Sequence, residues 1–134
     1  MDDTMTDEEL LETARVVRKK AYCPYSGFHV GAALLDDNGR VHVGCNVENA
    51  AYPQGSCAEA AAIAAMIAAG GKRIVTIAVA GGSESKTRFC TPCGGCRQRI
   101  HEFADEQTRI IVKDDDDDRH IYTMDDLLPS SFHL

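Results

Sequence analysis

A layered α/β domain, with helices packed on a mixed sheet, is the fold class that this 134-residue chain predicts. Three observations carry it. Helix-period apolar stretches alternate with short β-branched runs, Asp36-Asp37-Asn38-Gly39 joins two of those runs as a hairpin turn, and the later runs are separated by helical segments that act as crossovers.

The elements follow in chain order. Between Asp7 and Lys20, Leu10, Leu11, Ala14, Val17 and Ala21 recur at spacings of three and four, with acids leading and basic residues trailing, as suits a helix dipole. Cys23-Pro24-Tyr25-Ser26-Gly27 stops that helix and turns the chain. Phe28 to Leu35 is a mostly buried strand, and Val41 to Val47 returns antiparallel to it after the Asn38-Gly39 turn. Asn49 to Ser56 is irregular. Cys57 opens a helix that runs to Ala69 and stops at Gly70-Gly71. Its only charge is Glu59, so it is expected to be covered on nearly all sides, by the sheet and by another subunit. Ile74 to Ala80 is a buried strand and Gly81 to Lys86 a loop. Cys93 to about Phe103 is a helix, Arg109 to Val112 a strand, His120 to Thr123 an edge strand, and Asp125 to Leu128 a short terminal helix. No internal repeat is visible, and the length predicts one domain over residues 1–134.

Composition narrows the function classes. The net charge is -7, which opposes long-range attraction to a polyanion and argues against nucleic acid as a partner. The acidic start, Met1 to Glu9, lacks the basic and apolar regions of a secretory signal, so a cytoplasmic location is expected. The longest apolar run, Ala60 to Ala69, is too short for a membrane span. In a reducing compartment the six cysteines favour metal over disulfides.

Two motifs carry chemistry. Cys93-x-x-Cys96 places two sulfurs on the first turn of one helix, and Cys57 stands at the start of another. The spacing alone also fits a redox pair, and a structural zinc module without turnover is a further alternative. Glu59 differs from a fourth structural ligand: it is an acid beside three thiolates, the arrangement in which zinc keeps an open position and a carboxylate moves protons. Taken singly, Glu59 is a helix N-terminal acid favoured by the dipole. Cys23, Cys45 and Cys90 are expected as small packed residues, with Cys90 the one competitor for the metal, the five histidines have no metal-like spacing, and Asp114 to Asp118 is expected as a solvated turn.

The chain resembles the small homo-oligomeric cytidine deaminases of pyrimidine salvage. The resemblance runs through Phe28-His29-Val30-Gly31-Ala32-Ala33, Asn46-Val47-Glu48-Asn49-Ala50, Cys57-Ala58-Glu59, Pro92-Cys93-Gly94-Gly95-Cys96-Arg97-Gln98 and Leu127-Leu128-Pro129-Ser130-Ser131-Phe132. It implies a three-layer α/β/α sandwich around a mixed five-stranded sheet, one zinc ion on Cys57, Cys93 and Cys96, and hydrolytic deamination of cytidine and deoxycytidine to uridine and deoxyuridine with release of ammonia. Glu59 would carry the protons. Asn46 and Glu48 would hold the ribose, the Ala58 amide would meet the pyrimidine carbonyl, and Phe28 would pack on the nucleoside. Ala50, Tyr52 and Phe132 match positions that reach into a neighbouring subunit's site in a homotetramer. On composition alone, Phe28 and Phe132 are core residues, Tyr52 a loop aromatic, and Asn46 and Glu48 outward polar residues of a strand. Alternatives within enzymes are a deaminase for another aminopyrimidine, such as a blasticidin-like antibiotic, and a polynucleotide deaminase, which the charge and Cys57 disfavour.

One position departs from the family pattern. Relatives with three cysteine ligands often carry arginine directly after Cys-Ala-Glu, where this chain has Ala60. Zinc on three thiolates has net charge -1, so a compensating cation is expected, and Arg97, adjacent to Cys96, is the candidate.

Overall fold

The structure is a computed structural model that describes residues 5–134. Met1 to Thr4, the start of the acidic leader, lie outside the described residues. Helix α1 spans Asp7–Arg18 and begins with a capping box, in which the Thr6 hydroxyl accepts from the Glu9 amide while the Glu9 carboxylate accepts from the Thr6 amide. Strands β1 (His29–Asp36) and β2 (Val41–Cys45) form the expected hairpin. A single 3-10 turn at Tyr52–Gln54 interrupts the irregular connection to helix α2 (Ala58–Ala68). Strands β3 (Ile74–Gly82) and β4 (Thr87–Arg88), helix α3 (Gly94–Glu102), strands β5 (Arg109–Lys113) and β6 (Arg119–Tyr122), and helix α4 (Met124–Leu127) complete the chain.

The sheet runs β2-β1-β3-β5-β6, with β4 paired to β3 as a sixth, two-residue strand just after the expected Gly81 to Lys86 loop, where the sequence assigns no element. Among the described strands only β3 and β5 pair in parallel, and α3 lies between them in sequence as the crossover. The sheet is therefore mixed.

Side-chain alternation sorts the strands' apolar residues into two layers of core. Ala33, Ala78 and Ile111 face α1 and pack with Leu10, Leu11 and Ala14. Their neighbours Ala32, Leu34, Ile77, Val79, Ile110 and Val112 face the opposite side, where Ala62, Ile63 and Met66 of α2, Ile100 of α3 and Leu127 of α4 cover them. This is the three-layer sandwich. Two glycines set how close the layers come. A Cβ on Gly31 would stand 2.1 Å from the Ala14 carbonyl oxygen of α1, and one on Gly44 would stand 2.5 Å from the Ala58 carbonyl oxygen of α2. Both helices rest on bare backbone.

Two expectations need correction in detail. The predicted strand to Val47 ends at Cys45, because the Asn46 side chain takes the place of a ladder carbonyl: its Oδ1 accepts from the Val30 amide at 2.8 Å, leaving its own carbonyl to accept from Tyr22. On α1, Val17 is only half-buried whereas Arg18 is buried, with its Nη1 donating to the Ser83 carbonyl at 2.7 Å. The aspartate run is the exposed turn expected, and it is hydrogen-bonded within itself and to Phe89. Asp114 Oδ1 accepts from the amides of Asp116 and Asp118, and Asp115 accepts from the Phe89 amide. Helix α2 buries Ala58, Glu59, Ala62, Ile63 and Met66 within this chain, and Ala64, Ile67 and Ala68 stay exposed. Among the described residues no helix is long and apolar enough to cross a membrane.

Candidate metal centre

Two helix N-termini meet at one place. Cys57 is the N-cap of α2 and Cys93 the N-cap of α3, both in extended backbone, so their side chains stand beside unpaired first-turn amides. Cys96 lies one turn into α3 and is buried. The three Sγ atoms fall within 4.8 Å of one another, with Cys57 and Cys93 3.9 Å apart. Tetrahedral zinc with Zn–S bonds of about 2.3 Å would separate its sulfurs by about 3.8 Å. The spacing fits, and among the described residues no other such group of His, Cys, Asp and Glu comes together. Cys90 is not part of the cluster, so the expected competitor for the metal drops out.

The electrostatics agree. Burial pushes the Cys57 thiol up, and burial together with the charges of Glu59, Cys57 and Cys93 pushes Cys96 well above an ordinary thiol. Burial also acts upward on Cys93, but hydrogen bonds from the Cys96 backbone and the Cys57 and Cys96 sulfurs outweigh it and hold that thiol low. Each anion here penalises the next. A divalent cation among them would favour the thiolate at all three, so the donor set suits zinc.

Glu59, on the first turn of α2, is 4% exposed. Burial raises its carboxyl above the usual range, with hydrogen bonds from its own amide and Cys96, and the charge of Arg99, acting against the shift. It lies on the wall of a cleft of about 320 Å³ that also exposes Cys57 and Cys93. The same cleft is lined by Phe28, Asn46, Glu48 and Ala58, so four residues named from distant sequence segments are neighbours. The sequence reading missed its other apolar walls, Val30 and Val47, and Cys90, whose thiol burial and the nearby Glu59 and Cys93 charges raise to about 11.

Asn46 and Glu48 shape this cleft as well as lining it. Asn46 Nδ2 donates to the Phe28 carbonyl at 2.9 Å while Oδ1 accepts from Val30, which holds the start of β1. Glu48 Oε1 accepts from the Tyr25 and Ser26 amides and Oε2 from the Ser26 hydroxyl. Reciprocal backbone bonds between Val47 and Ser56 tie this segment to the residue before Cys57. Ala50, Tyr52 and Phe132 do not line the cleft. They are not core residues either: Ala50 is exposed, Tyr52 is 77% exposed and Phe132 68%.

Arg97 does not reach the sulfurs. Its Nε donates to the Pro92 carbonyl at 2.8 Å, Nη1 to the Leu127 carbonyl at 2.9 Å and Nη2 to Thr91 Oγ1 at 3.1 Å. The cation at the cluster is Arg99, whose Nη1 is 3.5 Å from Cys96 Sγ. The expectation for Arg97 is thereby corrected: it ties α3 to the C-terminal segment.

Comparison with known proteins follows the same lines. Residues 4–112 match the family model for the cytidine and deoxycytidylate deaminase zinc-binding region. A cytidine deaminase from Sporosarcina psychrophila is 37% identical over 128 residues, 96% of this chain and 92% of its own. A probable cytidine deaminase from Dictyostelium discoideum is 43% identical over 114 residues, 83% of this chain and 76% of its own. The crystal structure of cytidine deaminase from Burkholderia pseudomallei superposes with a TM-score of 0.86 at 40% identity, over 96% of this chain and 100% of that one.

Proposed function

Because the chain belongs to the cytidine deaminase family and is a zinc-dependent enzyme of that kind, we propose that it converts free cytidine and deoxycytidine to uridine and deoxyuridine in pyrimidine salvage. The observation that carries this reading is a buried carboxyl, Glu59, opening with Cys57 and Cys93 onto one mostly apolar cleft.

Bound to Cys57, Cys93 and Cys96, zinc supplies a Lewis acid that makes water nucleophilic near neutral pH. Glu59 takes a proton from the attacking water and delivers it to N3 of the ring. After the oxygen adds to C4, the Glu59 carboxylate takes the remaining proton from the new C4 hydroxyl and hands it to the amino group; the C4–N bond breaks, ammonia leaves, and the oxygen stays as the pyrimidine's C4 carbonyl. The Ala58 amide, at the first turn of α2, meets the ring carbonyl, and Phe28 covers the base.

The ribose falls to Asn46 and Glu48. A carboxylate has about four lone-pair sites and an amide two N–H donors. Glu48 meets three donors, and Asn46 gives one N–H to Phe28 and accepts one from Val30, so among the described residues each keeps at least one bonding position for a sugar hydroxyl. A charged 5′-phosphate would be a poorer guest beside Glu48.

In this reading the enzyme is a cytoplasmic homotetramer of single-domain chains, in which Ala50, Tyr52 and Phe132 complete a neighbour's site. Their exposure in the single chain supports it, as does the open Ala64, Ile67 and Ala68 face of α2.

The test is an assay on cytidine, deoxycytidine, cytosine and cytidine monophosphate, followed by loss of cytosine absorbance. Both nucleosides should be consumed well ahead of the base and the nucleotide. Glu59→Gln should keep its zinc and lose roughly 10²–10⁴-fold in kcat. Inactivity on both nucleosides would remove the substrate assignment, and an active Glu59→Gln would remove the proton-transfer scheme.

A further inference from the structure

Three thiolates around one divalent ion leave a net charge of -1, which weakens the ion's pull on water unless a cation stands close. Ala60 has no charge to offer. Arg97 has its guanidinium held by two carbonyls and a hydroxyl.

Arg99 is placed differently. It follows Cys96 by three residues on α3, which returns it to the same helix face, and its Nη1 stands 3.5 Å from Sγ. The neighbouring backbone leaves room for that approach, since a Cβ on Gly95 would lie 3.2 Å from the same Nη1. Cys96 is the buried sulfur of the three and the one with least access to water as a donor.

Resting on the zinc assignment above, we propose that Arg99 is the charge-compensating residue of the metal centre, donating from its guanidinium to Cys96 Sγ and drawing electron density from that sulfur. The role belongs to this chain's own sequence: a cation from α3 serves where α2 carries alanine. Arg99 positions and polarises a ligand and has no contact with substrate in this scheme. Arg97 anchors the C-terminal segment instead.

The experiment uses the full chain with cobalt(II) in place of zinc, so that thiolate-to-metal charge transfer is read directly. Removing a hydrogen bond raises the energy of the sulfur lone pair, so Arg99→Ala should move the band to longer wavelength. Metal loss to a competing chelator should speed up, and kcat should fall, each by roughly 10–100-fold, with KM little changed. Arg99→Lys should recover part of both effects. In Arg97→Ala the band should stay in place. An unmoved band with unchanged metal loss in Arg99→Ala would overturn the proposal, as would a shift in Arg97→Ala alone. Because the spectrum needs no substrate, a chain inactive on nucleosides but showing the Arg99 shift would discard the substrate and keep this role.

Discussion

At the residue scale, the same device closes two hairpins of the sheet, β1-β2 and β5-β6. Asp36 Oδ1 accepts from the amides of Asn38 and Arg40, and Oδ2 pairs with His42 Nε2 at 2.8 Å. Asp114 repeats the pattern with Asp116, Asp118 and His120 Nε2 at 2.7 Å. In each an aspartate satisfies the turn's amides and a histidine six residues on. Asp36 is buried, and burial acts to raise its carboxyl, but the Arg40 and Asn38 amides and His42 outweigh it and hold the carboxyl low. A folded-state value below the unfolded one stabilises above the ordinary aspartate range and is lost as pH falls through the folded value. Asp36→Asn should therefore cost about 1.5–3 kcal/mol at pH 7, and urea midpoints of the two proteins should converge as pH falls below the ordinary aspartate range. A constant gap across that range would deny the carboxylate its role. The zinc thiolates were legible at this scale because Cys57, Cys93 and Cys96 sit at helix starts that the sequence marks. Arg97 is adjacent to Cys96 in sequence but its guanidinium bonds elsewhere. On a helix the next residue turns about 100° away, so Arg97 points off the cluster and Arg99 returns to it.

At the element scale, α2 brings Cys57 and Glu59 to the cleft by lying directly on the hairpin. Gly44 of β2 permits this, since its missing side chain would occupy the space of the Ala58 carbonyl and the Ala62 amide. Gly44→Ala should destabilise the fold by about 1–3 kcal/mol, measured by urea unfolding, because backbone must move rather than a flexible side chain. A neutral substitution would mean that α2 has slack on the sheet. Element types and order were readable from periodicity throughout, down to the short α4. Strand ends and β4 were not. β4 has two residues, too few for any period, and β2 stops where Asn46 bonds across with its side chain instead of its carbonyl.

At the scale of the whole molecule, the chain exposes residues that its own fold leaves without a task. Tyr52 and Phe132 are largely exposed, and Ile67 stands out on an otherwise alanine face of α2. In the proposed tetramer each site takes Glu59 from one chain and Phe132 from another. Mixing Glu59→Gln with Phe132→Ala subunits, each nearly inactive alone, should then restore activity at about one site in four after random reassembly. A mixture no more active than its components would show that the site is built within one chain. The sequence by itself determined the α/β layering and the placing of Cys57 and of Cys93-x-x-Cys96 at helix starts, with Glu59 two residues after the first, because apolar period and motif spacing are local properties of the chain. Only the tertiary structure decided that Phe28, Asn46 and Glu48 share a cleft with Glu59 and that Arg99 rather than Arg97 meets the sulfur. Those relations depend on how the helices lie on the sheet, and on which way each side chain turns once they do.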